Sequence, residues 1–273
     1  MSSLDSGAAR ASYARAAEVL DTQLVGADAG RTGEDLFAVT SLLDDSVSLR
    51  RTLTDPSREG SGKADLVRRA LAGKISPAAL ETVAALAAGR WTATRDIADA
   101  CERLAVTAVV VQAERNGRGE ALEDELFRFA RLVAGNAGLR DALADRTSPT
   151  TSRTDLVSRL LVERAGPETV QLARRVALAP RGLRAERALE DYVEIAAERR
   201  RQLVAHVVTA QPLTHEQHER LAAGLARQYG RAVRLNVDVQ PELIGGLRVS
   251  IGDDVIDGSI SNRLDEARRR LAG

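Results

Sequence analysis

Apolar residues recur at helical spacing through the first two-thirds of the chain. Tyr13, Ala16, Ala17, Leu20 and Leu24 fall on one stripe of a first amphipathic helix. Ser6 or Ser12 is its candidate N-cap. Gly26 to Gly33 interrupt the pattern, and Leu36, Val39, Leu42 and Leu43 predict a second helix running into a short third segment around Leu49 and Leu53. Asp55-Pro56 through Gly62 is dense in turn residues and predicts a loop, followed by a helix over Lys63–Leu71. Ser76-Pro77 opens the next helix, with proline at the first position, where its missing N–H costs nothing; Leu80, Val83, Ala84 and Ala87 follow. A long helix over about Thr94–Glu114 ends at Asn116-Gly117.

A repeat underlies this pattern. A shift of 90 residues carries Leu49–Pro77 onto Leu139–Pro167 without a gap, and 10 of the 29 positions are identical. Leu49, Arg50, Leu53 and Asp55 match Leu139, Arg140, Leu143 and Asp145. Asp65, Leu66, Val67, Arg69 and Leu71 match Asp155, Leu156, Val157, Arg159 and Leu161, and Pro77 matches Pro167. Lys63 becomes Arg153, which keeps a cation in place. The matches keep helical spacing and include turn residues, so shared composition does not explain them. They predict two tandem helical bundles, residues 1–117 and 118–203.

The pattern then changes period. Val204–Ala210 is short and β-branched. Val233, Leu235, Val237 and Val239 alternate, as do Leu247, Val249 and Ile251. Between the first two strands, Thr214 followed by Gln217 is a capping box for a helix to Tyr229. Gly252-Asp253-Asp254 predicts a hairpin turn into Val255-Ile256, and Asp257 or Ser259 caps a last helix over Ile260–Leu271. The predicted fold is therefore mainly α, with a small α/β domain at residues 204–273.

Composition narrows the function. Lys plus Arg and Asp plus Glu are both 39, and a net charge of zero argues against a general nucleic-acid binder. One cysteine, Cys101, excludes an internal disulfide or a cysteine metal cluster and reads as an inert, half-buried thiol. The longest apolar run, Ala105–Val111, falls far short of the ~20 residues a bilayer requires. Gly60-Ser61-Gly62-Lys63 resembles the end of a phosphate loop, but Ser57 and Ala64 stand where that motif needs Gly and Ser or Thr, and its flank is helical. His215 and His218 are three apart rather than the four a zinc-binding helix requires, and His206 is the only other histidine. Gly245-Gly246 opens a strand rather than a helix, so it is no dinucleotide fingerprint. No catalytic, cofactor or metal site is predicted.

The segment Val239–Arg263 is the specific signal. Pro241, Leu243-Ile244, Gly245-Gly246, the strand Leu247–Ile251, Asp257-Gly258-Ser259 and Arg263-Leu264 follow in the order of the C-terminal signature of the delta subunit of F-type ATP synthases, the counterpart of the oligomycin-sensitivity-conferring protein. Gln240 stands where that family usually has Asp. Tyr13-Ala14-Arg15-Ala16 resembles the family's first helix. The chain is longer than a single-copy member by about the repeat period, so it is similar to the actinobacterial form with a duplicated helical domain. The signature residues read mainly as builders of the small domain. The resemblance implies a non-catalytic stator subunit without cofactor. It would grip N-terminal helices of the alpha subunits and the C-terminal region of subunit b, and meet the cytoplasmic side of the membrane only through the complex. Tyr13, Ala17 and Leu20 are the candidate alpha-docking residues, and core packing is the equal alternative for that stripe. The alternative function is a helical-repeat adaptor unrelated to ATP synthase.

Overall fold

The computed structural model describes the chain except residues 1–5, 146, 180–183, 202, 231, 242–244, 252–253 and 258–273. Two compact units result, Met1–Arg199 and Arg200–Gly273. The first contains helices α1 (Gly7–Leu24), α2 (Ala29–Asp45), α3 (Val47–Thr54), α4 (Gly60–Leu71), α5 (Pro77–Ala88), α6 (Asp96–Arg115), α7 (Gly119–Gly135), α8 (Ala137–Ala144), α9 (Thr150–Leu161), α10 (Pro167–Leu178) and most of α11 (Ala185–Arg201).

The 90-residue period carries α2, α3, α4 and α5 onto α7, α8, α9 and α10 end for end. It also carries hydrogen bonds. Ser46 and Asn136 cap α3 and α8 by accepting from the amides of Leu49 and Leu139. Arg50 donates to the carbonyls of Leu43 and Asp44 at the end of α2, and Arg140 to that of Ala134 at the end of α7. Asp35 accepts from the Ser76 amide at 2.7 Å and Glu125 from the Gly166 amide at 2.9 Å, each tying the mid-region of one helix to the start of another. Asp55 accepts from the Ser57 amide and hydroxyl, and Asp145 from the same groups of Thr147.

One apolar core runs through both copies, from Ala9 to Ala196. Its centre is α6, which is buried over most of its circumference: Ile97, Ala98, Cys101, Leu104, Ala105, Val106, Val109 and Val110 are all at most 2% exposed, while Asp99, Arg103, Thr107 and Glu114 form a half-buried polar strip. A helix apolar over so much of its surface must be largely enclosed. The period also places α1 over the span of α6 and α6 over that of α11, so α6 is last helix to one copy and first to the next.

Several expectations shift in detail. Gly33, expected in an interruption, lies inside α2, where a Cβ would stand 2.8 Å from Val109 Cγ2 and 3.2 Å from the Ala105 carbonyl. Its lack of a side chain lets α2 lie close against α6. Gly60 belongs to α4 rather than to the preceding loop, and a Cβ there would meet the Ala88 carbonyl at 2.5 Å. Ser6, rather than Ser12, caps α1; the Ser12 hydroxyl instead links to the amide and carbonyl of Arg90. Cys101 is fully rather than half buried, because it lies on the apolar side of α6 against α2, with its thiol 3.4 Å from the Leu36 carbonyl.

The second unit is a four-stranded sheet in the order β2-β1-β3-β4, with β1 (Leu203–Thr209), β2 (Val233–Val239), β3 (Leu247–Ile251) and β4 (Asp254–Asp257). β1 and β2 are parallel, joined through α12 (His215–Tyr229), and the other pairs are antiparallel. Alternation puts Ala205, Val207, Leu235, Val249 and Ile251 on one face with Leu225 of α12. The expected last helix lies outside the described residues.

Packing at Gly33 gives a contrast between two glycines. Gly33→Ala is expected to cost about 1–3 kcal/mol in urea unfolding. Gly62→Ala, at a helical position with nothing within 4 Å, is expected to be neutral or stabilising by up to about 1 kcal/mol.

The loop carboxylates give a pH dependence. The Ser57 hydroxyl and amide hold the Asp55 pKa below its ordinary 3.8. The Ser148 and Thr147 hydroxyls, with the Thr147 amide, do the same to Asp145. A depressed carboxylate pKa means the fold favours the charged form. This stabilisation is full above the ordinary value and is lost as pH falls through the folded one. Carboxyl carbon titrations by NMR should place both midpoints below 3.8, and Ser57→Ala should move Asp55 back toward it.

Candidate functional site

Tyr13, Ala17 and Leu20 divide between surface and core. Leu20 is 0% exposed and belongs to the core. Tyr13 and Ala17, one turn apart on α1, are half-buried and pack against that core. The Arg103 guanidinium of α6 lies 5.8 Å from the Tyr13 ring centroid, so one side of the ring is backed by a cation. Tyr13 and Ala17 thus present a surface, and Leu20 supports it from beneath.

Part of the C-terminal signature is described. Pro241 lies in the turn after β2, and the Gln240 amide donates to the Thr209 carbonyl at 2.8 Å, extending the β1–β2 pairing. Gly245 and Gly246 have φ of 83° and 84°, a region that side-chain-bearing residues avoid, and they lead directly into β3. Asp257 ends β4 and pairs in register with Arg248. Leu243, Ile244, Gly258, Ser259, Arg263 and Leu264 lie outside the described residues.

The remaining motifs have structural duties. Lys63 is buried, its ammonium donating to the Gly89 carbonyl at 3.0 Å just past the end of α5. Burial pushes its pKa below the usual lysine value. Arg153 is buried at the equivalent place on α9. His215 pairs with Glu219 at 3.3 Å, and His206 lies 3.4 Å from Asn236 across β1 and β2. Among the described residues no group of His, Cys, Asp and Glu could hold a metal ion, and no helix is long and apolar enough to cross a membrane.

What the sequence reading missed is a set of buried polar joints. Arg175 of α10, 4% exposed in its side chain, lies 5.0 Å from the Phe37 ring centroid on α2. It donates to the Ser41 hydroxyl at 2.8 Å and pairs with Glu102 of α6 at 3.6 Å. Glu102 also accepts from the Tyr192 hydroxyl of α11 at 3.0 Å, so four helices meet in one network. Arg199 pairs with Glu114 at 2.9 Å and Asp21 at 3.0 Å, joining α11 to α6 and α1. Glu168, at the start of α10, accepts from Asn116 at 2.7 Å and Arg118 at 3.1 Å. These hydrogen bonds outweigh the opposing effect of burial and hold its pKa below the usual glutamate value. Arginines scattered along amphipathic helices look solvated in sequence. Only the repeat could have flagged Arg175, because its counterpart in the first copy is Ala85.

Comparison with known proteins bears on this arrangement. The family model for the ATP synthase delta (OSCP) subunit matches residues 106–271, beginning inside α6. ATP synthase subunit delta of Kineococcus radiotolerans is 70% identical over 272 residues, covering 99% of each chain. That of Streptomyces coelicolor is 46% identical over 268 residues, covering 97% of this chain and 98% of the relative. Among solved structures, a chain of the Toxoplasma gondii mitochondrial ATP synthase hexamer is 20% identical over 62% of this chain and 95% of its own length, with a TM-score of 0.26.

Removing one member of a buried charged network strands its partners. Arg175→Leu is expected to destabilise the helical unit by about 3–5 kcal/mol in urea unfolding. Combining it with Glu102→Gln should cost less than the two single changes added together, which a double-mutant cycle would read.

Proposed function

The chain belongs to the ATP synthase delta (OSCP) subunit family and is a non-catalytic subunit of the peripheral stalk; from that premise we propose that it ties the alpha subunits of the catalytic head to the distal end of subunit b. The single observation that carries this is full-length identity to ATP synthase delta subunits, joined to a C-terminal motif whose two left-handed glycines set the entrance to β3. A family relationship over the whole chain sets aside the unrelated adaptor.

The helical unit takes the alpha side. Residues 1–117 and 118–203 act as two copies joined at α6, and residues 204–273 meet subunit b. Tyr13 and Ala17 form part of a face that receives an alpha N-terminal helix, with anchors at helical spacing. The chain sits on the cytoplasmic side of the membrane, held there by its partners. It performs no bond chemistry: it holds the head against the torque of the rotor, so its useful properties are affinity and stiffness. Two linked grips raise occupancy beyond that of either alone through effective concentration.

The test separates surface from core. Because Leu20 is buried, a charge there would disturb folding, and Tyr13→Ala is the informative change. Titrated with an alpha N-terminal peptide, this variant is expected to bind about tenfold more weakly than wild type while keeping its melting temperature. Unchanged peptide affinity would place the alpha contact elsewhere.

A further inference from the structure

The repeat allows each enclosed position in one copy to be compared with its counterpart in the other. A shift of 90 residues carries Phe37 onto Phe127 and Ser41 onto Arg131. Phe37 is 7% exposed, beneath Arg175. Phe127 is 55% exposed, although it lies in the middle of α7 rather than at a fraying end. The same aromatic at the same repeat position is thus covered in the first copy and bare in the second. Arg131 is exposed one helical turn beyond it, and Asp124 is exposed about one turn before.

We propose that Phe127 and Arg131 on α7 form a docking surface for an amphipathic helix of another ATP synthase subunit, one that presents an apolar anchor with a carboxylate on the Arg131 side. Charge identifies the occupant. In the first copy the cover is a cation, Arg175, received by the neutral hydroxyl of Ser41. In the second copy a cation stands at the Ser41 place, so a cover built like α10 would bring two guanidiniums together. A helix carrying an acid there gains a charge-assisted hydrogen bond and places its apolar residue on the ring. This surface is distinct from the Tyr13–Ala17 face on α1. It rests on the stalk-subunit reading above.

The test uses the full chain and membranes carrying ATP synthase stripped of this subunit. Wild-type chain should rebind saturably. Phe127→Ala should weaken rebinding about tenfold with an unchanged melting temperature. Arg131→Glu should weaken it comparably, and Arg131→Lys should keep most of it. Since the native Cys101 is buried, a Phe127→Cys variant should react with a maleimide quickly when free and at least about tenfold more slowly once assembled. Failure of the wild-type chain to rebind would overturn both this surface and the stalk reading. Wild-type rebinding with equal affinity for Phe127→Ala and Arg131→Glu, or unprotected Phe127→Cys, would overturn the surface alone. Tighter binding by Arg131→Glu would mean a basic partner and would equally reject the acidic helix.

Discussion

The helical unit depends on enclosing α6. Its apolar residues cover most of its surface, and both copies pack against it: α2 approaches it through Gly33, and α10 and α11 reach it through Arg175 and Tyr192. Each enclosed valine or leucine contributes about 1.5–3 kcal/mol relative to exposure, so stripping either copy away would uncover far more apolar surface than a domain's net stability tolerates. The duplication is therefore a repeat array with a common element, in which neighbours complete one another's cores.

The start of the family match inside α6 gives the same picture from another direction. The family pattern matches residues 106–271, so α1 to α5 lie before it. Among these helices, α2 lies against α6 through Gly33, and α1 buries Ala9, Ala16, Leu20 and Leu24 in the common core. The two copies then diverge where they no longer do the same work. Phe37 is sealed within the joint while Phe127 is open, and Ala85 stands in the first copy where Arg175 stands in the second.

Most of the secondary structure was legible because its causes are local. Apolar spacing located the helices, proline opened α5 and α10, and Thr214 with Gln217 formed the predicted capping box. The misplacements concern residues whose reason is distant in sequence. Gly33 looks like a helix breaker until α6 lies against it, and Ser12 looks like a cap until Arg90 arrives beside it. The stripe of Tyr13, Ala17 and Leu20 was only half legible, because helical periodicity reports which residues share a side but not where along that side the core ends. Tyr13 and Leu20 share a stripe, yet one reaches solvent and the other does not. The buried arginine joints left no local mark at all, since their partners are supplied by other helices.

A shared helix also suits a part that transmits force. Two bundles joined by a linker would bend at the linker, and the head would lag the stalk under load. Here any rotation of one copy against the other must shear the apolar contacts of α6 and break Arg175 from Phe37, Ser41 and Glu102. Close-packed interiors resist such shear because few voids exist into which side chains can move. The polar joints add direction: an ion pair backed by an aromatic ring is satisfied in one arrangement, whereas apolar surfaces alone would tolerate sliding. Stiffness within the helical unit thus follows from the same residues that make its copies inseparable.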